Sequence, residues 1–450
     1  MSTARRAQGV LDTIMRVVET WQTQQQDDSA IRHPDIERAV AHLWIVSDSP
    51  PTVHVVEGRG LSIGRTTGDC EVQVDDRKMS RRHARIERGL SGWHLQDLGA
   101  RNRGFVNGRG YGAGERVPLL DGAVLRLADT LAVFRDAPIA FDDRHLSPVF
   151  PGISTNAVAV RRRIDALAVG SSHVLILGET GTGKERVARA IGAGRATSPF
   201  VAVNCAELKG EVARGELFGV VDGGAAPRKA GLVDAAGDGV LFLDAIGELE
   251  LEVQAELLRF LEDGSYRPVG GHDSRRSGAR LIAATSVDLD RAVAHGRFRR
   301  DLLARLRASN PPVELPPLRA RREDIPGWTS VFARELGRDP GQAVGWEIGA
   351  LECLLLYPWE ENLRELARVT RGAAEGSRDF PLSKHQLPAE LRAFRNQLRP
   401  EGAAPPAPEA PREELPPRPD PTEPEVRDAL RATRGNARQA ARALGIDQIG

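Results

Sequence analysis

Residues 178–185 read GETGTGKE and directly follow the apolar run Val174-Leu175-Ile176-Leu177. Gly178, Gly181 and Gly183 let successive backbone N–H groups turn inward on a phosphate with no Cβ in the way. Glu179, Thr180 and Thr182 complete the turn, and Lys184 is spaced to reach β- and γ-phosphate oxygens. The helix expected over Glu185 to Ile191 adds the partial positive charge of its N-terminus. Glu185 stands where the general pattern has a Ser or Thr to hold the metal. About sixty residues on, Gly239 to Leu249 reads GVLFLDAIGEL. Asp244, at the end of that apolar run, is placed to hold Mg²⁺ through water, whereas Ala245 beside it cannot take a proton. A carboxylate at 245 would be the base for the attacking water, and losing such a base typically costs roughly 10²- to 10⁴-fold in rate. The pair of segments predicts a chain that holds ATP and Mg²⁺ and turns ATP over poorly.

These groups need elements to hold them. Both apolar runs are short and continuous, as in parallel strands covered on both faces, and strands alternate with helical stretches from about Ser154 to Pro317. That pattern predicts a three-layer α/β domain, and residues 322–396 look helical behind it. Ahead of it, Leu43 to Phe134 alternates in short runs broken by Gly, Asp and Asn, which predicts an all-β module. Val10, Leu11, Ile14, Val17, Val18 and Trp21 recur at helical spacing, which predicts an amphipathic helix over residues 4–24. Pro400 to Pro424 carries ten prolines and reads as an extended linker, with a last helical pair from Glu425.

Composition sets the outer limits. The 450 residues suit about three domains at roughly 150 each. With 62 basic and 62 acidic residues the net charge is zero, so no global field favours nucleic acid or membrane. Cys70, Cys205 and Cys353 are too scattered for a metal site, and a reduced, cytoplasmic setting fits them best. No apolar run approaches the roughly 20 residues of a membrane span, and the N-terminus has no secretory apolar core.

Several motifs occur in a fixed order: GETGTGKE, FVAVNCAEL (200–208), ELFG (216–219), GVLFLDAIGEL, RLIAATSVDL (280–289), GRFRRDLLARL (296–306), LPPLRARREDIP (315–326) and WEENLREL (359–366). Together they resemble the central AAA+ domain of bacterial sigma-54-dependent transcriptional activators, over roughly residues 150–391. The resemblance implies a ring-forming ATPase with a helical lid that remodels sigma-54 RNA polymerase. It implies that Lys184 and Asp244 serve ATP and Mg²⁺ and that Asn204 restrains the catalytic glutamate, here replaced by Ala245. It places Ser286 at the sensor asparagine, Arg299 and Arg305 at the arginines reaching a neighbouring subunit's γ-phosphate, and Arg364 at the lid's nucleotide-sensing arginine. Two departures stand out. Glu360-Glu361 replaces the usual Pro-Gly of the lid motif. Val220 to Ala230 reads VVDGGAAPRKA where the family has its GAFTGA loop, with neither Phe nor Thr, so the large apolar contact to sigma-54 is missing.

The β module carries SIGR (62–65), SRRH (80–83) and DLGARNRGFVNG (97–108), which resemble a forkhead-associated (FHA) domain, a β-sandwich that binds phosphothreonine peptides. Arg65 and Arg81 would give charge-assisted donors to a dianionic phosphate, and Ser80 a hydroxyl donor. The resemblance implies that Asn102 bonds the peptide backbone and that His83 braces a loop. Arg101 stands where the family often has a small hydroxyl residue and adds positive charge; Arg103 replaces the usual glycine. An upstream Ser/Thr kinase is implied as a partner. The C-terminus resembles the start of a Fis-type helix-turn-helix, with GNARQAARALGI (435–446) as its positioning helix and turn. Only Asp447 to Gly450 follow, barely one turn of a recognition helix, so the expected DNA reader is weak or incomplete.

The expected fold is thus multidomain. It comprises a helical segment at 1–40, an FHA-like β-sandwich at 41–137, a three-layer α/β P-loop AAA+ domain at 138–320 and its helical lid at 321–398. A proline-rich linker at 399–424 and a truncated helix-turn-helix at 425–450 complete it. Two functions fit this layout. One is a sigma-54-type transcriptional regulator controlled through phosphothreonine, with impaired hydrolysis and sigma-54 contact. The other is a non-catalytic ATP-binding adaptor or antagonist that docks phosphoproteins. Either would act as a homo-oligomer or in a mixed ring, away from membranes.

Overall fold

A computed structural model describes residues 41–398, apart from 48–50, 57–59, 67, 141–146, 148, 196–198, 222–228, 337–344 and 376–380. The N-terminal helix expected at 4–24, most of the loop Val220 to Ala230, the linker and the C-terminal helix-turn-helix lie outside the described residues.

The alternating runs of residues 41–135 form strands β1 (Ala41–Ile45), β2 (Thr52–Val56), β3 (Leu61–Arg65), β4 (Val72–Val74), β5 (Ala84–Gly89), β6 (Gly92–Asp97), β7 (Phe105–Val106), β8 (Arg109–Gly110), β9 (Arg116–Pro118), β10 (Val124–Leu127) and β11 (Thr130–Arg135). They make two facing sheets, ordered β2-β1-β11-β10-β7-β8 and β4-β3-β5-β6-β9. Leu43, Ile45, Leu125 and Phe134 from one sheet meet Ile63, Ile86, Trp93 and Leu95 from the other in the sandwich core. β5 and β6 alternate between covered and open positions, as half-buried strands do. β1 and β11 depart from that pattern, since every residue of AHLWI and TLAVFR is buried. Their outward residues Trp44, Leu131 and Val133, with Val46 just past β1, share a core with the α/β module and its helices, so the second face of this sheet is covered too.

The α/β layer is a parallel sheet in the order β13-β14-β17-β12-β18, from β12 (Val174–Gly178), β13 (Phe200–Asn204), β14 (Val240–Asp244), β17 (Arg280–Thr285) and β18 (Val313–Leu315), while β15 (Ser265–Tyr266) and β16 (Arg275–Arg276) form a separate short antiparallel pair. Alternate residues of each strand serve opposite layers. Val174, Ile176, Val240, Phe242 and Ile282 face one core, and Leu175, Leu241, Leu243, Leu281 and Ala283 face the other. This explains why the motif strands read as unbroken apolar runs. The helix after β12 spans Lys184–Gly192, one residue longer at each end than expected, and the second motif strand is shifted by one to include Asp244. Helices Ile325–Arg334, Ile348–Leu356, Asn362–Glu375 and Ala389–Gln397 follow, in the stretch expected to be helical.

Candidate nucleotide-binding site

The phosphate turn folds as its glycines require. Gly181 and Gly183 take φ of 78° and 102°, values open to glycine and strained for other residues. A Cβ on Gly181 would lie 2.0 Å from the Glu361 carbonyl oxygen, so the lid backbone closes directly on this turn. Thr182 is fully buried, and its hydroxyl donates to the Glu179 carbonyl at 2.8 Å. The Lys184 ammonium donates to the carbonyls of Gly178 (2.9 Å) and Glu179 (3.0 Å). Burial, and secondarily the Arg364 guanidinium, hold the Lys184 pKa below its ordinary value, while Asp244 works in the opposite direction. A buried ammonium resting on neutral carbonyls suits an anionic phosphate. The residues therefore fit the polyphosphate of ATP.

Asp244 ends β14 directly opposite Asn204 at the end of β13. Ala245 follows with φ 56° and ψ 42°, and its N–H donates to Asp244 Oδ1 at 2.9 Å. The Asn204 side chain accepts from the Ala206 N–H at 3.2 Å and donates to Glu207 Oε1 at 3.0 Å. Ser286, just past β17, is exposed. Glu185 pairs along its own helix with Arg189 at 2.7 Å, so its carboxylate is taken up there. Among the described residues no group of three His, Cys, Asp or Glu side chains is placed to hold a metal. A Mg²⁺ ion here would rest on Asp244 and on the phosphates it accompanies.

The three arginines separate. Arg364 is exposed at the start of helix Asn362–Glu375 and is felt electrostatically at Lys184. Arg299 caps helix Arg300–Ala308 and holds Asp301 through two bonds of 3.1 and 2.7 Å. Arg305 donates to the Leu261 carbonyl at 3.0 and 2.9 Å. Neither of these two bonds to the phosphate turn of its own chain.

Motif reading missed the residues that hold the turn from outside. Arg319 grips the Glu179 carboxylate through two bonds of 2.8 and 2.5 Å, which holds that carboxyl below its ordinary pKa. Asn362, buried at φ 51°, donates to Glu179 Oε2 (3.2 Å) and the Thr180 carbonyl (3.0 Å) and accepts from the Leu318 N–H (2.7 Å). Leu363 N–H donates to the Gly181 carbonyl at 2.9 Å. Arg319 and Asn362 sit inside motifs already quoted, whose local pattern carries no sign of these distant partners.

The second candidate face lies at one end of the sandwich, where three loops converge. Arg65 N–H donates to the Ser80 carbonyl at 3.0 Å, and Arg101 N–H donates to Ser80 Oγ at 3.0 Å. Asn102 Nδ2 donates to the Lys78 carbonyl at 2.6 Å. Cβ atoms on Gly64 and Gly68 would come within 2.0 and 1.9 Å of the Arg81 carbonyl oxygen, so only glycines allow this approach. Arg81 and Arg101 are exposed, and the buried Arg65 Nε has no hydrogen-bond partner among the described residues. His83 is fully buried and accepts the Ser80 N–H at 3.3 Å, the bracing role expected of it. Arg103 turns away from the face, donating to the carbonyls of Tyr111 (3.0 Å) and Gly110 (3.1 Å). It braces the neighbouring hairpin.

Comparison with known proteins agrees with this geometry. Residues 151–310 match the model of the sigma-54 interaction domain, residues 61–128 that of the FHA domain, and residues 319–404 that of the AAA+ ATPase lid domain. The chain is 40% identical over 243 residues to a Nif-specific regulatory protein of Azospirillum brasilense, covering 53% of this chain and 39% of that one. It is 42% identical over 257 residues to the anaerobic nitric oxide reductase transcription regulator NorR of Citrobacter koseri, covering 53% and 50%. NtrX from Brucella abortus, solved in complex with ATP, superposes over 66% of each chain at 30% identity and a TM-score of 0.48. The chain spans half or less of the length of these two curated relatives. On its central domain, its lid and the motifs they carry, the chain belongs to the sigma-54 activator family of AAA+ proteins, with an FHA domain placed ahead of the ATPase module.

Proposed function

We propose that this chain is an ATP-binding transcriptional regulator of the sigma-54 type, controlled by phosphothreonine recognition and slow to hydrolyse its nucleotide. The observation that carries the reading is the contrast at one site: a complete phosphate turn with a buried Lys184, beside Asp244 and the methyl side chain of Ala245. ATP with Mg²⁺ supplies the phosphoanhydride whose hydrolysis drives the family's remodelling work. Gly178 to Thr182 bind its phosphates through backbone N–H groups, Lys184 neutralises them, and Asp244 holds the cation. Arg364, at the start of the lid helix and close enough to act electrostatically on Lys184, would sense the bound nucleotide. Ala245 can neither orient nor deprotonate a water, so charge stabilisation remains while general base catalysis is lost. Asn204 has no glutamate to restrain and bonds Glu207 instead. Arg299 and Arg305 serve a neighbouring subunit's site in a homo-oligomeric or mixed ring.

On the FHA face, Arg65, Ser80, Arg81 and Arg101 take the phosphate and Asn102 the peptide backbone, with a Ser/Thr kinase supplying the modification. The loop Val220 to Ala230 has no Phe or Thr to offer sigma-54, which favours a second reading, a non-catalytic ATP-binding adaptor or antagonist. DNA contact through residues 425–450 belongs to the first reading only. Among the described residues no helix is long and apolar enough to cross a membrane, and a cytoplasmic setting fits either reading. ATP affinity and turnover measured side by side test the proposal. Binding at micromolar ATP without turnover supports it, and family-typical turnover in the native chain removes the slow-hydrolysis claim.

A further inference from the structure

Arg135 closes β11 of the FHA domain, nearly buried. Its Nε and Nη2 donate to the two carboxylate oxygens of Glu323 at 2.9 and 2.5 Å, Nη2 also reaches the Ala320 carbonyl at 2.8 Å, and Nη1 holds Asp121 at 3.1 Å. One residue away, Arg322 Nη1 donates to the Gly122 carbonyl, again in the FHA domain, at 3.0 Å. Glu323 is 2% exposed. A buried, bidentate arginine–carboxylate pair fixes orientation as well as distance, because the planar fork has few alternative poses.

The same segment, residues 318–323, bonds the phosphate turn on its other side. Leu318 N–H is held by Asn362, which also bonds Glu179 and Thr180. Arg319 holds the Glu179 carboxylate through two bonds, and buried Arg321 lies 3.4 Å from the Thr182 carbonyl with its guanidinium over the Phe150 ring. Six consecutive residues thus bond the FHA sheet on one side and the phosphate turn on the other.

We propose that Arg135 is a positioning residue of the nucleotide site, acting across the domain boundary: by fixing Ala320 and Glu323 it sets the place of Leu318 and Arg319, and through them of Glu179 and the phosphate turn. This rests on the reading that the turn binds ATP. A second buried clamp supplies the contrast. Glu352, 1% exposed, takes Arg126 of the FHA domain and Arg395 of the last helix at 2.8 Å each. It ties the same two parts of the chain together but makes no bond to residues 318–323 or to the turn.

The test is a titration of the full chain with the fluorescent analogue mant-ATP in Mg²⁺ buffer. Wild type is compared with Arg135→Lys, Arg319→Gln and Glu352→Gln, with melting temperature and amide exchange at residues 178–184 followed in parallel. Arg135→Lys keeps the charge and loses the fork; Arg319→Gln cuts a surface-accessible pair and leaves the core intact. Both are expected to weaken mant-ATP binding by about 5- to 20-fold and to speed exchange in the turn, as typical coupling energies allow. Glu352→Gln is expected to lower the melting temperature and leave mant-ATP affinity unchanged. The proposal is overturned if Arg135→Lys or Arg319→Gln binds like wild type, or if Glu352→Gln weakens binding equally. A wild-type chain that does not bind mant-ATP removes the ATP reading itself, a result separate from wild-type binding with indifferent variants.

Discussion

Ala245 donates its backbone N–H to the Asp244 carboxylate at 2.9 Å while its own side chain is a methyl group. Position 245, directly after the aspartate proposed to hold Mg²⁺, therefore carries no group able to act as a base. Ala245→Glu is expected to leave mant-ATP affinity near wild type and to raise ATP turnover by roughly 10²- to 10⁴-fold. Phosphate release under single-turnover conditions checks this. Turnover that stays flat would mean that more than the base has been lost.

The same position carries backbone strain. At φ 56° an alanine pays for its Cβ where glycine does not, about 1 kcal/mol for one residue in the left-handed region. Ala245→Gly should raise unfolding stability by somewhat less than that, since glycine also gains freedom in the unfolded chain. Urea denaturation of the two chains measures the difference, and a loss of stability would show that the methyl group is packed.

Lys184 is buried and, among the described residues, bonds only carbonyl oxygens of the turn. Lys184→Met should abolish mant-ATP binding without lowering the melting temperature of the nucleotide-free chain, because desolvating an ammonium with neutral partners is unfavourable. Thermal melts with and without ATP separate the two effects. The wild-type melt should rise with ATP by mass action and the variant melt should not move.

Two arginines of the FHA domain should behave oppositely. Arg81 is exposed at the converging loops, so Arg81→Ala should abolish binding of a phosphothreonine peptide at physiological salt with stability changed by no more than about 0.5 kcal/mol. Arg103 bonds the Gly110 and Tyr111 carbonyls, so Arg103→Ala should destabilise the sandwich, by about 1–3 kcal/mol. Fluorescence anisotropy against the peptide library of an FHA screen, paired with denaturation curves, reads both. Equal loss of stability in the two variants would contradict the assignment.

Burial lowers the pKa of His42, His54 and His83, all in the FHA domain. A base with a depressed folded-state pKa contributes stability that is present above its unfolded value, about 6.5, and is lost as pH falls below it. The sandwich should therefore weaken as pH falls below about 6.5, and His83→Asn should flatten part of that slope. Trp93 fluorescence during urea unfolding at several pH values tests the sign; a sandwich that gains stability on acidification would refute it.

Sequence alone determined the parts whose chemistry is local. The phosphate turn, Asp244 and Ala245 lie within two stretches of fewer than a dozen residues each, and the FHA loops carry their own glycine and arginine signatures. Such segments need only their neighbours in the chain to take their shape, so residue type and spacing suffice to read them. Tertiary structure decided what joins them. β1 and β11 read as one-sided sandwich strands, yet Trp44 and Val133 are buried a second time against the ATPase module. Arg135 and Glu323, or Arg319 and Glu179, are separated by well over a hundred residues, and nothing in either local pattern records the partner. An arginine in a strand or a glutamate in a turn has the same sequence appearance whether it faces water or a buried counter-charge. Only the packing of the two domains, which removes water from both faces of one sheet, makes these side chains choose each other.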